Sequence, residues 1–209
     1  MARPSGRPIR EELVEAACTL TQRVGVNAFS YGDLAELVGI AAPSIHHHFR
    51  TKDDLIAEVA ERYRVRFADR VGQIDAATVT LHLCAYAELF DDTSSQELMC
   101  FCGSVSAEWA SVGERAREQV ALFFDEQRAW LASQIRTAVD NGEFRSDINV
   151  DALASAVLAA LEGSMLLARS AGNASRFASD VLDALLNLLT HPSSSKQERT
   201  PRVPGFARF

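Results

Sequence analysis

The sequence predicts an all-α protein. Apolar residues recur at helical spacing, alanine and leucine are frequent while β-branched runs are short, and no alternating hairpin pattern flanks an Asn-Gly or Asp-Gly pair. The 209 residues are 47% apolar and 23% charged, a globular balance with enough chain for a real core in one large or two small domains. No run of about 18 apolar residues free of charge is present, so no membrane partner is expected. Met1 to Arg7 carries no apolar stretch of the secretory kind. Four cysteines (Cys18, Cys84, Cys100, Cys102) do not make a disulfide framework, and a reducing, cytoplasmic setting is expected.

Each element follows from local signals. Leu13, Ala17, Leu20 and Val24 form the stripe of a first helix, stopped by Gly25. Ser30 caps a second, with Asp33 near its positive end and Leu34, Ala35, Leu37 and Val38 as its apolar positions. Gly39 closes it. Pro43 suits the first turn of a third helix, because its missing N–H would be an orphan there; this helix carries Ile45, His46, His47, His48 and Phe49. Thr51 caps a fourth, running to about Val71. Further helices are expected near 76–91, 96–110, 113–141, 150–171 and 174–190, with Asn141-Gly142 and Gly172-Asn173 as stops. Residues 191–209 change composition to a Pro-, Ser- and Arg-rich, flexible basic tail.

Charge is unevenly placed. The net charge of -7 concentrates in residues 76–190, which hold 7 Lys+Arg against 16 Asp+Glu. That argues against a generic polyanion binder. A local footprint remains: Arg3, Arg7 and Arg10 stand in the first ten residues with no acid among them. Such an arm can reach nucleic-acid phosphate or a minor groove.

Residues 30–49 form the most informative unit. Two short helices meet across a tight turn at Gly39-Ile40-Ala41, which is helix-turn-helix geometry. The second helix is then presented outward, toward a DNA major groove about 12 Å wide. The pattern this demands is present. Leu34, Ala35, Val38, Ile45 and Phe49 supply a buried side, Ala35 and Gly39 allow close crossing, and Ser44, His46, His47 and His48 can hydrogen-bond DNA.

The run Leu34-Ala35-x-x-Val38-Gly39-Ile40-x-x-Pro43-Ser44-Ile45-His46-His47-His48-Phe49-x-x-Lys52-x-x-Leu55 resembles the tetracycline-repressor (TetR) family of bacterial transcription regulators. Gly6-Arg7-Pro8 before a helix containing Ala16-Ala17 is similar to the family's usual start. The resemblance is specific over roughly residues 6–60. It implies an N-terminal three-helix DNA-binding domain over 1–52 with a basic arm. A larger helical domain for effector binding and dimerisation follows over 53–190, with helix 4 (about 53–71) as connector. It further implies a homodimeric repressor, released from a palindromic double-stranded operator by a small-molecule effector. Carried over by position, the operator contacts are Ala42, Pro43, Ser44, His46, His47 and His48, with Lys52 on a phosphate; Arg3 and Arg7 of the basic arm are the further DNA-binding candidates. Two departures stand out. His46 replaces a common tyrosine, which would make binding sensitive to pH near the usual imidazole value of about 6.5. Ala41-Ala42 replaces residues that are often polar.

The remaining candidates are broader. Met99, Phe101, Glu108, Trp109, Phe123, Phe124, Trp130, Glu162 and Met165 are the effector-pocket set: large apolar residues plus two acids in apolar surroundings. The apolar runs 150–171 and 181–189 exceed what one small domain buries, so Leu153, Val157, Leu161, Leu182, Leu185 and Leu189 are expected at a dimer interface. Three consecutive histidines point about 100° apart on a helix and cannot converge on one ion. Cys100-x-Cys102 lacks a second pair for tetrahedral closure. No metal or cofactor is expected. The cysteines read most simply as small buried hydrophobes, and a thiol-reactive sensor using Cys100 and Cys102 is the alternative. No Gly-rich phosphate loop or Gly-x-Ser-x-Gly elbow is present, and His82 is the one histidine base candidate in the large domain, so no enzyme is expected.

Overall fold

The computed structural model describes residues 8–172 and 176–190. Arg3, Arg7 and the basic tail lie outside the described residues. Within them the regular structure is helical, with no strand: α1 Ile9–Val24, α2 Tyr31–Val38, α3 Ala42–Ile45, α4 Lys52–Gly72, α5 Val79–Ser95, α6 Phe101–Ala107, a 3-10 turn Trp109–Ser111, α7 Glu114–Asp140, α8 Val150–Ser170 and α9 Phe177–Leu189. The all-α expectation holds.

Two expected helices are shorter than their patterns suggest. The sixth starts at Phe101 rather than near 96. Glu97 turns into the left-handed region (φ 60), and the Met99 N–H is drawn off to the Gln22 carbonyl at 3.1 Å. The third regular helix covers only Ala42–Ile45, and His46 to His48 tighten into turns.

The chain forms two compact units that do not follow chain order. Among the described residues the first takes 8–68 together with Leu98–Phe123; the second takes Asp69–Glu97 and residues 124–172 and 176–190. In the first unit Leu13, Val14 and Ala17 of α1, Leu34 and Ala35 of α2, Ile45 and Phe49, and Leu55, Ile56 and Val59 of α4 are all buried. Each large apolar side chain removed from water contributes about 1.5–3 kcal/mol. The first-helix stripe is rotated from its simplest reading, with Leu20 half-buried and Val24 exposed, and on α2 Leu37 is exposed and Val38 half-buried. A second cluster in this unit is aromatic. Tyr63 and Phe67 of α4 lie 5.7 and 5.2 Å from Phe123, and Phe101 lies 5.4 Å from Tyr63.

In the second unit α9 packs against both α5 and α8. Tyr86, Leu131, Ile135, Phe144, Leu161 and Leu182 form its dry centre. Two helix starts borrow caps from distant sequence. The Asp91 carboxylate accepts from Ala178 N, Ser179 N and Ser179 Oγ at 2.9, 3.0 and 2.5 Å, while Arg176, just before α9, provides no side-chain cap. Glu143 accepts from Val79 N, Thr80 N and Thr80 Oγ at 3.2, 3.1 and 3.1 Å at the start of α5. An orphan N–H needs an acceptor, and an anion suits a helix N-terminus.

Helix α8 is, by length and composition, apolar enough to cross a membrane, with mean hydropathy 1.6. A search for uncharged runs overlooks it because Glu162 interrupts the run. Its Ala154, Val157, Leu158, Leu161, Met165 and Ala168 face is buried within the unit, as befits a core helix with one open side.

Replacing Asp91 by alanine leaves the first N–H groups of α9 without their carboxylate. The expected cost is about 1–3 kcal/mol, read as a lower denaturant midpoint with unchanged helix content before unfolding. An unchanged midpoint would remove the capping role.

Candidate nucleic-acid interface

The helix-turn-helix is built from local rules. Ser30 Oγ accepts from Gly32 N and Asp33 N at 3.1 and 3.3 Å, and Asp33 Oδ2 accepts from Ser30 N at 2.6 Å, a complete capping box. These hydrogen bonds hold the Asp33 carboxyl below its ordinary value of 3.8. The C-terminus of α2 closes with Gly39 in the left-handed region (φ 73). Ile40 N donates to Ala35 O at 3.0 Å and Gly39 N to Glu36 O at 3.3 Å. A side chain rarely tolerates that φ, so glycine there fixes the turn before α3.

Helix α3 then starts from an extended Ala41 with Pro43 in its first turn. Ile45 and Phe49 point into the core, and Ser44 N donates to Ala41 O at 2.8 Å. Beyond Ile45 the chain narrows. His46, His47 and His48 donate three residues back, to Pro43, Ser44 and Ile45, and Phe49 returns to an i−4 bond at 2.9 Å. Pro43, His46 and His47 are exposed; Ala42, Ser44 and His48 are half-buried. The His46 ring meets Tyr31 edge-on at 5.1 Å, and its Nδ1 lies 3.3 Å from Arg50 O. A carbonyl only accepts, so this approach is a hydrogen bond in the form that holds the proton on Nδ1.

Arg10 ties this segment down. It donates to His48 O at 2.6 Å, pairs with Glu58, and covers the Phe49 ring at 4.3 Å; Arg62 joins Glu58 at 2.6 Å. Arg10 therefore fastens α1 to α4 and to the recognition segment rather than extending an arm. Beside it runs an open groove of about 760 Å³, lined by Arg10, His48, Arg50, Glu58, Arg62 and Arg115 among others. Arg50 stands exposed there, directly after the recognition segment, a cation that sequence reading missed. Its signal was its position next to Phe49.

Lys52 is turned the other way. Its Nζ donates to Val26 O at 2.5 Å and to Phe29 O, and it sits 3.8 Å over the Phe29 ring. Partial burial lowers its pKa, against the pull of Glu108 and Asp33. In this structure the ammonium satisfies carbonyls in the connection between α1 and α2, which has no helix to pair them, and it does not stand open at the surface as a phosphate contact would. From its other side that connection meets Glu108. Its Oε2 accepts from Asn27 N at 2.7 Å, and Asn27 Nδ2 donates to Ser111 Oγ at 2.7 Å.

The other candidates divide between the units. Met99, Phe101 and Phe123 belong to the buried core of the first unit, Glu108 to the α1–α2 connection, and Trp109 is 42% exposed beside Arg117. In the second unit Trp130 stacks on Tyr86 at 4.9 Å, Phe124 and Glu162 are half-buried, and Met165 is buried. Sequence reading missed Tyr86 and Gln127, a buried pair in which Tyr86 Oη donates to Gln127 Oε1 at 3.2 Å. The spacing Phe123, Gln127, Trp130 along one helix was the available signal. Val157, Leu161, Leu182 and Leu189 are buried within the chain, Leu153 and Leu185 half-buried. The open apolar side of α8 and α9 instead carries Leu166, Leu167 and Leu188, at 62, 57 and 71% exposure. Cys100 and Cys102 are buried, and Cys100 Sγ accepts from Gly103 N at the start of α6. Among the described residues, no three His, Cys, Asp or Glu side chains gather to hold a metal ion.

A capped support helix, a glycine turn and an outward recognition segment on a three-helix core define a helix-turn-helix DNA-binding protein. Residues 13–59 match the family model of bacterial regulatory proteins of the tetR family, and residues 81–180 match the tetracyclin repressor-like C-terminal domain. The chain belongs to the TetR family of transcription regulators, and it is a regulator rather than an enzyme. It is similar to the HTH-type transcriptional repressor KstR2 of Mycolicibacterium smegmatis, 25% identical over 169 residues, 72% of this chain and 73% of the relative. The KstR2 of Rhodococcus jostii is 26% identical over 152 residues, 70% and 72% of the two chains. A TetR-family regulator from Agrobacterium tumefaciens has the same fold with TM-score 0.79 and 27% identity, covering 88% of this chain and 98% of that one.

If Lys52 is a tie for the connection, Lys52→Met lowers thermal stability by about 1–3 kcal/mol. The salt slope of DNA binding is then unchanged. A slope reduced by about one at full stability would restore the phosphate role.

Proposed function

We propose that this chain is a dimeric repressor that grips a palindromic DNA operator through residues 42–48 and lets go when a small molecule binds. The observation that carries the reading is the outward recognition segment, pinned by Ile45, Phe49 and Arg10 while Pro43, His46 and His47 are exposed and Ser44 is half-buried beside them. Ser44 and His47 are the base-reading candidates, with Ala42, Pro43 and His48 shaping the approach. His46 Nε2 and the Arg50 guanidinium serve phosphates, and Arg3 and Arg7 serve as the arm. The family's KstR2 relatives are named as repressors, which supports the sign.

For the effector, the candidate region lies in the second unit, around Phe124, Trp130, Glu162 and Met165 with Tyr86 and Gln127. Stacked rings beside a buried amide suit an apolar molecule carrying one hydrogen-bonding group. Buried Cys100 and Cys102 lack the exposure that a reactive thiol needs, so nothing favours the thiol-sensing alternative. For self-association, Leu166, Leu167 and Leu188 form the surface of the proposed dimer contact, with the core leucines behind them as its support.

Selection from random duplexes, followed by affinity measurement at several salt concentrations, tests the DNA reading. The expected product is a palindromic consensus, and Arg50→Ala should lower the salt slope by about one per subunit. Binding without any sequence preference would defeat the operator reading. Separately, Leu188→Glu should convert dimer to monomer in sedimentation while leaving helix content intact. A variant that stays dimeric would move the interface elsewhere.

A further inference from the structure

Glu108 stands where it can control the recognition unit without touching DNA. Residues 98–123 are flanked in sequence by second-unit chain on both sides, yet they pack as part of the first unit. This stretch grips the end of α1 and the α1–α2 connection at three places. Gln22 Nε2 donates to Met99 O at 2.8 Å while Met99 N donates back to Gln22 O at 3.1 Å. Glu108 Oε2 takes the Asn27 N–H at 2.7 Å. Ser111 Oγ takes Asn27 Nδ2 at 2.7 Å.

The fit at Glu108 is close. Gly25 has φ 92, and a Cβ there would run into the Glu108 carboxylate, so this carboxylate occupies room that only glycine leaves. The gripping segment is itself a joint. Helix α6 ends at Ala107, Glu108 leaves helical geometry (φ -111, ψ 28), and a three-residue 3-10 turn precedes α7. Its hydrogen bonds, Glu108 N to Val105 O, Ser111 N to Glu108 O and Val112 N to Trp109 O, all span three residues at 3.0–3.4 Å. Such turns have poorer hydrogen-bond geometry than α-helix and often mark hinges. Lys52 holds the same connection through Val26 O and Phe29 O. Residues 25–29 are thus set jointly by the first residue of α4 and by the α6–α7 joint, and α2 leaves directly from them.

We propose that Glu108 is a positioning residue for operator binding. Its carboxylate sets the α1–α2 connection, and with it the direction of α2 and α3, according to the state of the α6–α7 joint. This rests on the DNA-binding reading above. Any effector that shifts the joint withdraws the acceptor from the Asn27 N–H and loosens the connection, and the effect is limited by the difference in its affinity for the two states.

The test uses full-length protein and the operator duplex obtained by selection. Wild type, Glu108→Ala and Glu108→Gln are compared in operator affinity, salt slope, thermal midpoint and amide hydrogen exchange. Glu108→Ala should bind about tenfold more weakly, the equivalent of one hydrogen bond to a charged group. Its salt slope should not change, and exchange should rise at residues 25–29 but not in α4 or α5. Glu108→Gln keeps an acceptor oxygen and should stay within about threefold of wild type. Wild-type affinity in Glu108→Ala overturns the proposal. So does a loss accompanied by faster exchange throughout α1 and α4, which would mark general instability. Wild-type protein that selects no duplex sinks the regulator reading itself, a result distinct from a variant that matches a binding wild type.

Discussion

The backbone of residues 25–29 is the constraint on which the DNA-binding half depends. Between the end of α1 and the Ser30 cap, the chain has no helix to satisfy its N–H and C=O groups, and unpaired polar groups are costly where water is restricted. Lysine, with three donors on a flexible stem, reaches two of the carbonyls from α4; glutamate, an acceptor, reaches an N–H from the α6–α7 joint. Residue types follow from the need. Gly25 gives the sharp turn and the room, and the helix-turn-helix inherits its direction from this knot.

The second unit solves the same problem with carboxylates. Asp91 and Glu143 sit at the starts of α9 and α5, elements 87 and 64 residues away along the chain. Asp91 supplies the cap that Arg176 does not give α9, and Glu143 adds to the local Thr78 cap of α5, whose hydroxyl takes the Leu81 N–H. The acidic excess of residues 76–190 is therefore partly structural, because at least two of its carboxylates are spent on backbone N–H groups. That excess also makes nucleic-acid affinity a local property of α3 and its neighbours, not a property of the whole surface.

Burial sorts the remaining chemistry. Cys18 is pushed up to about 12 by desolvation, against the pull of Arg66, and Cys84 to about 11 by burial and Asp183. Neither suits thiolate chemistry at neutral pH. The aromatic residues divide similarly. Phe101 and Phe123 join Tyr63 and Phe67 in a dry cluster that gives the 98–123 stretch its hold on the first unit, whereas Trp130 stacks on Tyr86 within the second.

Short-range rules were enough for much of this protein. Ser30 with Asp33, Gly39, Pro43 and the apolar set Leu34, Ala35, Ile45 and Phe49 determined the helix-turn-helix, because capping, left-handed turns and 3.6-residue periodicity are local in sequence. The all-α class and most helix limits followed for the same reason. The tertiary structure alone decided which way Lys52 and Glu108 point, since their partners lie 23–26 and 81 residues away. It also decided that Met99 ends its strand of irregular chain on Gln22 instead of beginning a helix, and that Val157, Leu161 and Leu182 face their own core while Leu166 and Leu188 face outward. Periodicity says that a helix has an apolar side; when nearly every side is apolar, as in α8, only the neighbours that pack on it select which one is buried.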